Sequence, residues 1–290
     1  MKRLLTLTLM FLLWLPASAV TRRALVVFVG EYPEDSGWKK ISAERDCRIV
    51  LDMLHAGDFR DSDIAVLGDS DATHDAIIRA FSTLVSKAQK GDVVYVHFSC
   101  HGQQVTDLDG DEPDGWDEAL IPYDARISYG DHGYMGGKHL IDDEVNRFLA
   151  ALSSKVGETG LVLYVSDACH SGDDYRANEE TADDVTMRGI LDRFEISGSH
   201  ADFSERLNAD GWVSICACRE YQNNYEVTVD GQRCGRLTYA MSRVFSKGLS
   251  MESLVKAIEK EYLLLPTPKG CPRQLVSYNI PQGMEARKIR

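Results

Sequence analysis

Three apolar runs that lack polar alternation constrain this chain most: RALVVFV, which starts at Arg23 and is ended by Gly30, VVYVHF at residues 93–98, and LVLYV at residues 161–165. A strand with one face in water alternates apolar and polar residues. Runs like these, rich in β-branched and aromatic residues, belong inside a parallel sheet that is covered on both faces. The segments between them supply the covers. Residues 42–55 place Ile49, Val50, Met53 and Leu54 at helical spacing, and residues 72–90 carry Ile77, Ile78, Phe81, Leu84 and Val85 in one stripe. A short strand at 63–67, a helix at 140–152, a buried strand at 211–217 (GWVSICA), helices at 237–245 and 251–263 and a last strand within 273–280 complete the order. Strands alternating with helices in this way predict an α/β fold around a mostly parallel sheet.

In such sheets the chemistry collects at the strand ends. The run at 161–165 continues as SDACHSG, placing Cys169 just past the strand, and the run at 93–98 continues as SCHGQ, placing His101 and Gly102 just past theirs. Alone, a cysteine is more often a small buried hydrophobe and a histidine more often a satisfied turn residue. Together, on two strand ends, they offer a nucleophile and a base. The seven cysteines are an odd number, which in an exported protein leaves at least one thiol unpaired, and no zinc pattern of paired C-x-x-C units occurs.

Export is itself expected. Lys2 and Arg3, an apolar run over residues 4–15, and Ala17-Ser18-Ala19 follow the order of a secretory signal peptide, with cleavage after Ala19. The run is shorter than the roughly 20 apolar residues of a membrane-spanning helix, so no anchor is expected after its removal, and a secreted or periplasmic location follows. The net charge of −13 becomes more negative once Lys2 and Arg3 leave. That balance disfavours nucleic acid and anionic membranes as partners. No linker divides the rest convincingly, so residues 20–290 are expected to form a single domain. Within it, the acidic, aperiodic stretch 173–210 is read as a surface linker.

Residues 107–124 (DLDGDEPDGWDEALIPYD) crowd carboxylates into one loop. Asp107, Asp109 and Asp111 begin like a helix-loop-helix calcium site, but Glu112 stands where that motif needs glycine and Pro113 follows, so an EF-hand is rejected. On composition alone this is a solvated acidic loop.

The motifs, in their order, resemble those of metacaspases, relatives of the caspases. SCHG and SDACHSG look like the family's His-Gly and Asp-x-Cys-x-Ser-Gly elements; the acidic segment 107–124, CACREYQ at 216–222 and GRLTYAM at 235–241 are similar to the segments that follow. The resemblance implies a three-layer caspase-like fold with a six-stranded sheet, a Cys169–His101 dyad, and oxyanion donors at the backbone N–H groups of Gly102 and Cys169. Where caspases carry glutamine two residues before the cysteine, this chain has Asp167. Asp167 with Asp46, and Ser99 beside them, would form a pocket for the arginine or lysine side chain before the scissile bond. One departure is Ala43, where the family often has cysteine. Resemblance also implies calcium activation through Asp117, Asp142 and Asp143, with Asp173 or Asp174 as the fourth carboxylate; for an enzyme that prefers basic residues, Arg176, Arg188, Arg193 and Arg206 in the linker are candidate points of self-cleavage. The leading expectation is thus an exported cysteine endopeptidase acting on polypeptides after basic residues, with no organic cofactor. Its rivals are a silent caspase-fold binding module, against which the retained His101 and Cys169 speak, and a gingipain- or legumain-type peptidase, whose surrounding motifs fit less well.

Overall fold

The computed structural model describes residues 20–110, 112–169, 185–190, 192–196, 211–219, 222–245 and 248–289. The expected signal peptide and Asp173, Asp174, Arg176 and Arg206 lie outside them. In chain order the elements are β1 (Arg22–Phe28), α1 (Ala43–Ala56), β2 (Ile64–Gly68), α2 (His74–Lys87), β3 (Val93–Ser99), β4 (Gly102–Thr106), β5 (Trp116–Leu120), β6 (Leu140–Ile141), α3 (Asp142–Val156), β7 (Leu161–Asp167), β8 (Val213–Cys216), β9 (Val227–Val229), β10 (Gln232–Cys234), α4 (Arg236–Val244), α5 (Met251–Leu264) and β11 (Ser277–Asn279).

The three apolar runs are the adjacent central strands of one six-stranded sheet, in the order β11-β8-β7-β3-β1-β2. All its neighbours run parallel except the last strand, which pairs antiparallel with β8. Two apolar layers cover the sheet. Cys47, Val50, Met53 and Leu54 of α1, with α4 and α5, pack on one face; Ile77, Phe81 and Leu84 of α2, with Val145 and Leu149 of α3, pack on the other. That double cover is why the central strands show no alternation. The mostly parallel sheet with helices on both faces is as the sequence predicts.

Two features differ from expectation. A second, antiparallel sheet of β4, β5 and β6 grows from the chain just after His101. Its strands, GQQVT and WDEAL, are mostly buried but carry polar residues, so they show no apolar run in the sequence. The surface-linker reading of 173–210 is corrected where the chain is described: Arg188 is fully buried, Phe194 is 1% exposed, and the backbone of each hydrogen-bonds to β4. Its acidic, aperiodic sequence gave no sign of this, because its partners lie far away in the chain.

Candidate active site

Register brings the strand ends together. In the parallel ladders, Phe28 pairs with Ser99 and Ser99 with Asp167, so β1, β3 and β7 finish level. His101 lies two residues beyond Ser99, and Cys169 two beyond Asp167. Both are nearly inaccessible, at 3% and 1% exposure, and a stretch of the same chain lies beside them.

That stretch holds one peptide carbonyl between the two residues. The Arg188 oxygen accepts hydrogen bonds from the backbone N–H of Gly102, at 3.1 Å, and of Cys169, at 3.0 Å. The two amides picked out in the sequence as oxyanion donors therefore converge on one atom, with His101 immediately before one and the Cys169 side chain on the other. The Cys169 thiol itself reaches Gln222 O at 3.7 Å and Asn223 Oδ1 at 3.8 Å.

The histidine is held in one tautomer. Its Nε2 lies 2.7 Å from Lys39 O, and since a carbonyl only accepts, Nε2 carries the proton. Tyr32 and Trp38 pack against the ring, with centroids at 5.3 and 5.0 Å, and the Tyr32 hydroxyl accepts the His101 N–H. Burial pushes the imidazole down to about 4, so it is neutral near pH 7. Nδ1 is buried without a hydrogen-bond partner among the described residues. It is the basic atom left to take a proton.

The Arg188 side chain fills a closed acidic pocket. Its Nη2 lies 2.6 Å from Asp46 Oδ2 and 2.9 Å from Glu226 Oε1, while Nη1 donates to Ser99 Oγ at 2.8 Å and lies 3.7 Å from Asp167 Oδ1. The structure thus gathers Asp46, Asp167 and Ser99 around one guanidinium, and adds Glu226, which the sequence reading missed. Each carboxylate is fixed from behind. Asp167 accepts from Asn224 Nδ2 and from the Thr238 N–H and hydroxyl; Asp46 accepts from the Gly235 N–H and the Ser99 hydroxyl; Glu226 accepts from the Ser42 N–H and hydroxyl. The Gly235 and Thr238 amides belong to the first turn of α4 and its cap, so a helix N-terminus faces the two aspartates. Gly235 must be glycine: a Cβ there would stand 2.1 Å from Asp167 Oδ2.

Charge in this pocket is finely divided. Burial pushes Asp46 up to about 6, with Arg188 opposing and Asp167 adding to the rise. Burial acts upward on Asp167 too, but Arg188 and the hydrogen bonds from Asn224 and Thr238 outweigh it and hold the carboxyl below its usual range. Arg188 is held above its ordinary value despite burial, by Asp46, Asp167 and Glu226.

The acidic loop is divided between two groups of carboxylates. Oxygens of Asp107, Asp109 and Asp117 lie within 4.8 Å of one another, as do those of Glu112, Glu118 and Asp142. Asp117 and Asp142, which were expected to share a site, fall in different groups, and Asp143 is in neither. Asp107 and Asp117 are buried, which corrects the solvated-loop reading. Asp107 already accepts three backbone N–H groups, from Asp109, Gly110 and Glu112. Asp117 Oδ1, by contrast, is buried without a hydrogen-bond partner among the described residues. Burial, then Asp142, Asp107, Asp143 and Asp109, push the Asp117 carboxyl up to about 8. None of the seven cysteines is in a disulfide.

Residues 39–176 match the profile of the metacaspase peptidase C14 domain. Metacaspase-1 of Emericella nidulans is 39% identical over 104 residues, 36% of this chain and 22% of that protein. Metacaspase-1 of Pyricularia oryzae is 36% identical over 121 residues, 39% of this chain and 27% of that protein. The aligned part is therefore about a quarter of those relatives' length. Among solved structures, protein GSU0716 of Geobacter sulfurreducens superposes with a TM-score of 0.59 at 23% identity, covering 89% of this chain and 92% of that one. Caspase-1 of Spodoptera frugiperda superposes with a TM-score of 0.58 at 10% identity, covering 93% and 88%. These last two establish the fold.

Proposed function

We propose that this chain, a metacaspase-type member of the caspase-fold family, is a cysteine endopeptidase that cuts polypeptides after arginine or lysine and takes its own Arg188–Gly189 bond as a substrate. One observation carries the reading: an arginine side chain in the acidic pocket while its own carbonyl is held by the Gly102 and Cys169 amides.

The chemistry follows from the atoms in place. His101 Nδ1 takes the thiol proton and Cys169 Sγ attacks the carbonyl carbon, while the two N–H groups hold the oxygen as it becomes an oxyanion. The C–N bond to Gly189 breaks as Nδ1 gives its proton to the leaving nitrogen. Water then attacks the thioester, yielding a proton to Nδ1; the C–S bond breaks and the thiol is restored. The pocket selects a cation because any neutral or acidic side chain would leave Asp46, Asp167 and Glu226 buried together without a counter-charge.

Of the four arginines expected as cleavage points, Arg188 is the one that the described residues place in the pocket. Arg193 donates instead to Gln104 Oε1 at 2.9 Å and lies over the Trp116 ring.

Calcium activation belongs to the same proposal. The unpartnered Asp117 oxygen and an all-oxygen donor set suit a hard cation. Asp107, Asp109 and Asp117 would hold it, with Glu112, Glu118 and Asp142 next to them, and its charge would neutralise the loop that carries β5. Export through the signal peptide completes the reading.

Fluorogenic peptides ending in Arg, Lys, Asp or Asn, each assayed with calcium and with a chelator, test the proposal. Arg and Lys substrates should be cleaved at least about a hundredfold faster than Asp or Asn substrates, given the cost of leaving buried charge unpaired. Hydrolysis of the Asn substrate alone would transfer the protein to the legumain type; no hydrolysis of any would favour a silent binding module. For the cation, calorimetric titration of calcium into the chain should show binding that Asp117→Asn weakens about tenfold or more. Equal affinity of the two would remove Asp117 from the site.

A further inference from the structure

Beyond the scissile bond, the chain meets β4 again at two isolated bridges. Gly189 bridges Gly102 in parallel, and Phe194 bridges Val105. The Phe194 N–H donates to Gln104 O at 2.8 Å, the Thr106 N–H to Phe194 O at 3.1 Å, and Gln103 Nε2 to Asp192 O at 2.9 Å. All three take backbone groups of the segment, two of them from the edge of β4 that faces away from β5 and one from the Gln103 side chain, so they would hold an extended peptide whatever its sequence. Selection must come from side chains.

Both bridge residues make demands on side chains. At Gly189 a Cβ would stand 2.8 Å from Gly102 O and 2.9 Å from both Cys169 Cβ and Cys169 O, so the residue after the cut must be glycine. At Phe194, the sixth residue after Arg188, the ring sinks into a pocket of Val105, Ala119, Tyr129, Tyr134 and His139. The ring centroids of Phe194 and His139 are 4.4 Å apart. The pocket walls are fixed: His139 donates from Nε2 to Gln103 Oε1 at 3.0 Å and accepts the Tyr134 hydroxyl at Nδ1 at 2.8 Å. Gly136 forms part of the rim, where a Cβ would lie 2.9 Å from the Phe194 ring.

We infer that this is a substrate subsite: the cleft extends along β4 beyond the scissile bond and ends in a pocket for an aromatic side chain on the sixth residue after the basic one, which Phe194 fills within the chain itself. The inference rests on the peptidase reading and deepens it, since it names a second anchor by which a polypeptide substrate is recognised. Such a substrate has an arginine or lysine, then a glycine, then an aromatic residue six places after the cation.

The test is binding to the full chain carrying Cys169→Ala, Arg188→Ala and Phe194→Ala, so that both anchors are empty and no cleavage occurs. Fluorescence anisotropy is read with labelled peptides that reproduce residues 186–196: one with the native sequence, one with alanine for the phenylalanine, one with aspartate for the arginine. The native peptide should bind about tenfold or more tightly than the alanine peptide, as expected for burial of one aromatic side chain. Equal affinities of these two, or no binding by a folded variant, overturn the inference. If the phenylalanine matters and the arginine does not, the subsite stands and the acidic-pocket specificity falls; the reverse pattern removes the subsite and leaves the peptidase reading intact. Should the triple variant not fold, Cys169→Ala with Phe194→Leu, which keeps an apolar filling, is read in the same way with a smaller difference.

Discussion

Replacing Cys169 by alanine is expected to lower kcat on Arg substrates by at least about 10⁴-fold, because the covalent route is lost while the amides and the acidic pocket remain. The fold should be unchanged: the side chain is small, and alanine fills most of its volume. The same variant should end self-cleavage. N-terminal sequencing of the purified wild-type chain should find a fragment beginning at Gly189, and neither Cys169→Ala nor Arg188→Glu should yield it. A Gly189 terminus in the cysteine variant would mean that another protease makes the cut, and the position of Arg188 would then be a packing device.

Asp167 carries the second large effect, and two substitutions separate its charge from its hydrogen bonds. Alanine there orphans the Thr238 amide and the Asn224 amide nitrogen, two buried donors, and leaves the Thr238 hydroxyl with His97 Nε2 at 3.2 Å alone. A loss of about 3 kcal/mol in urea unfolding is expected, since each unsatisfied buried group costs about 1–3 kcal/mol and partial rearrangement recovers some of it. Asparagine keeps an oxygen toward Thr238 but removes a negative charge from the guanidinium. Its stability loss should be smaller, yet kcat/KM on Arg substrates should still fall about a hundredfold, as happens when a buried charge pair loses one member. Arg preference within a few-fold of wild type in Asp167→Asn would show that Asp46 and Glu226 suffice, and Asp167 would then be a scaffold residue.

The sheet could be read from the sequence because burial on both faces leaves an unmistakable mark, three runs without polar alternation. The strand-end residues followed from that frame and from motif order: His101 and Cys169 on neighbouring strands, and Asp167 and Ser99 brought level by register. Glu226 was not legible. It stands in a polar stretch just before a short hairpin, and its place in the pocket depends on Ser42, which is 184 positions away. Arg188 was legible as one arginine among four, but nothing local announces that a cation is fully buried, since its compensation comes from α1, β7 and the segment before β9. The small sheet was missed for a related reason: β4 and β5 are buried strands of polar sequence, and Phe194, which packs against them, follows some ninety positions later. In each case long-range pairing, which has no period, decided the outcome.

One consequence of the carbonyl held by Gly102 and Cys169 concerns time. A bond positioned before any encounter would break in a first-order process, so dilution would not slow it and crowding would not hasten it. Each molecule would keep its own clock from the moment it folds, and the half-life of the intact chain would be a property of its cleft alone.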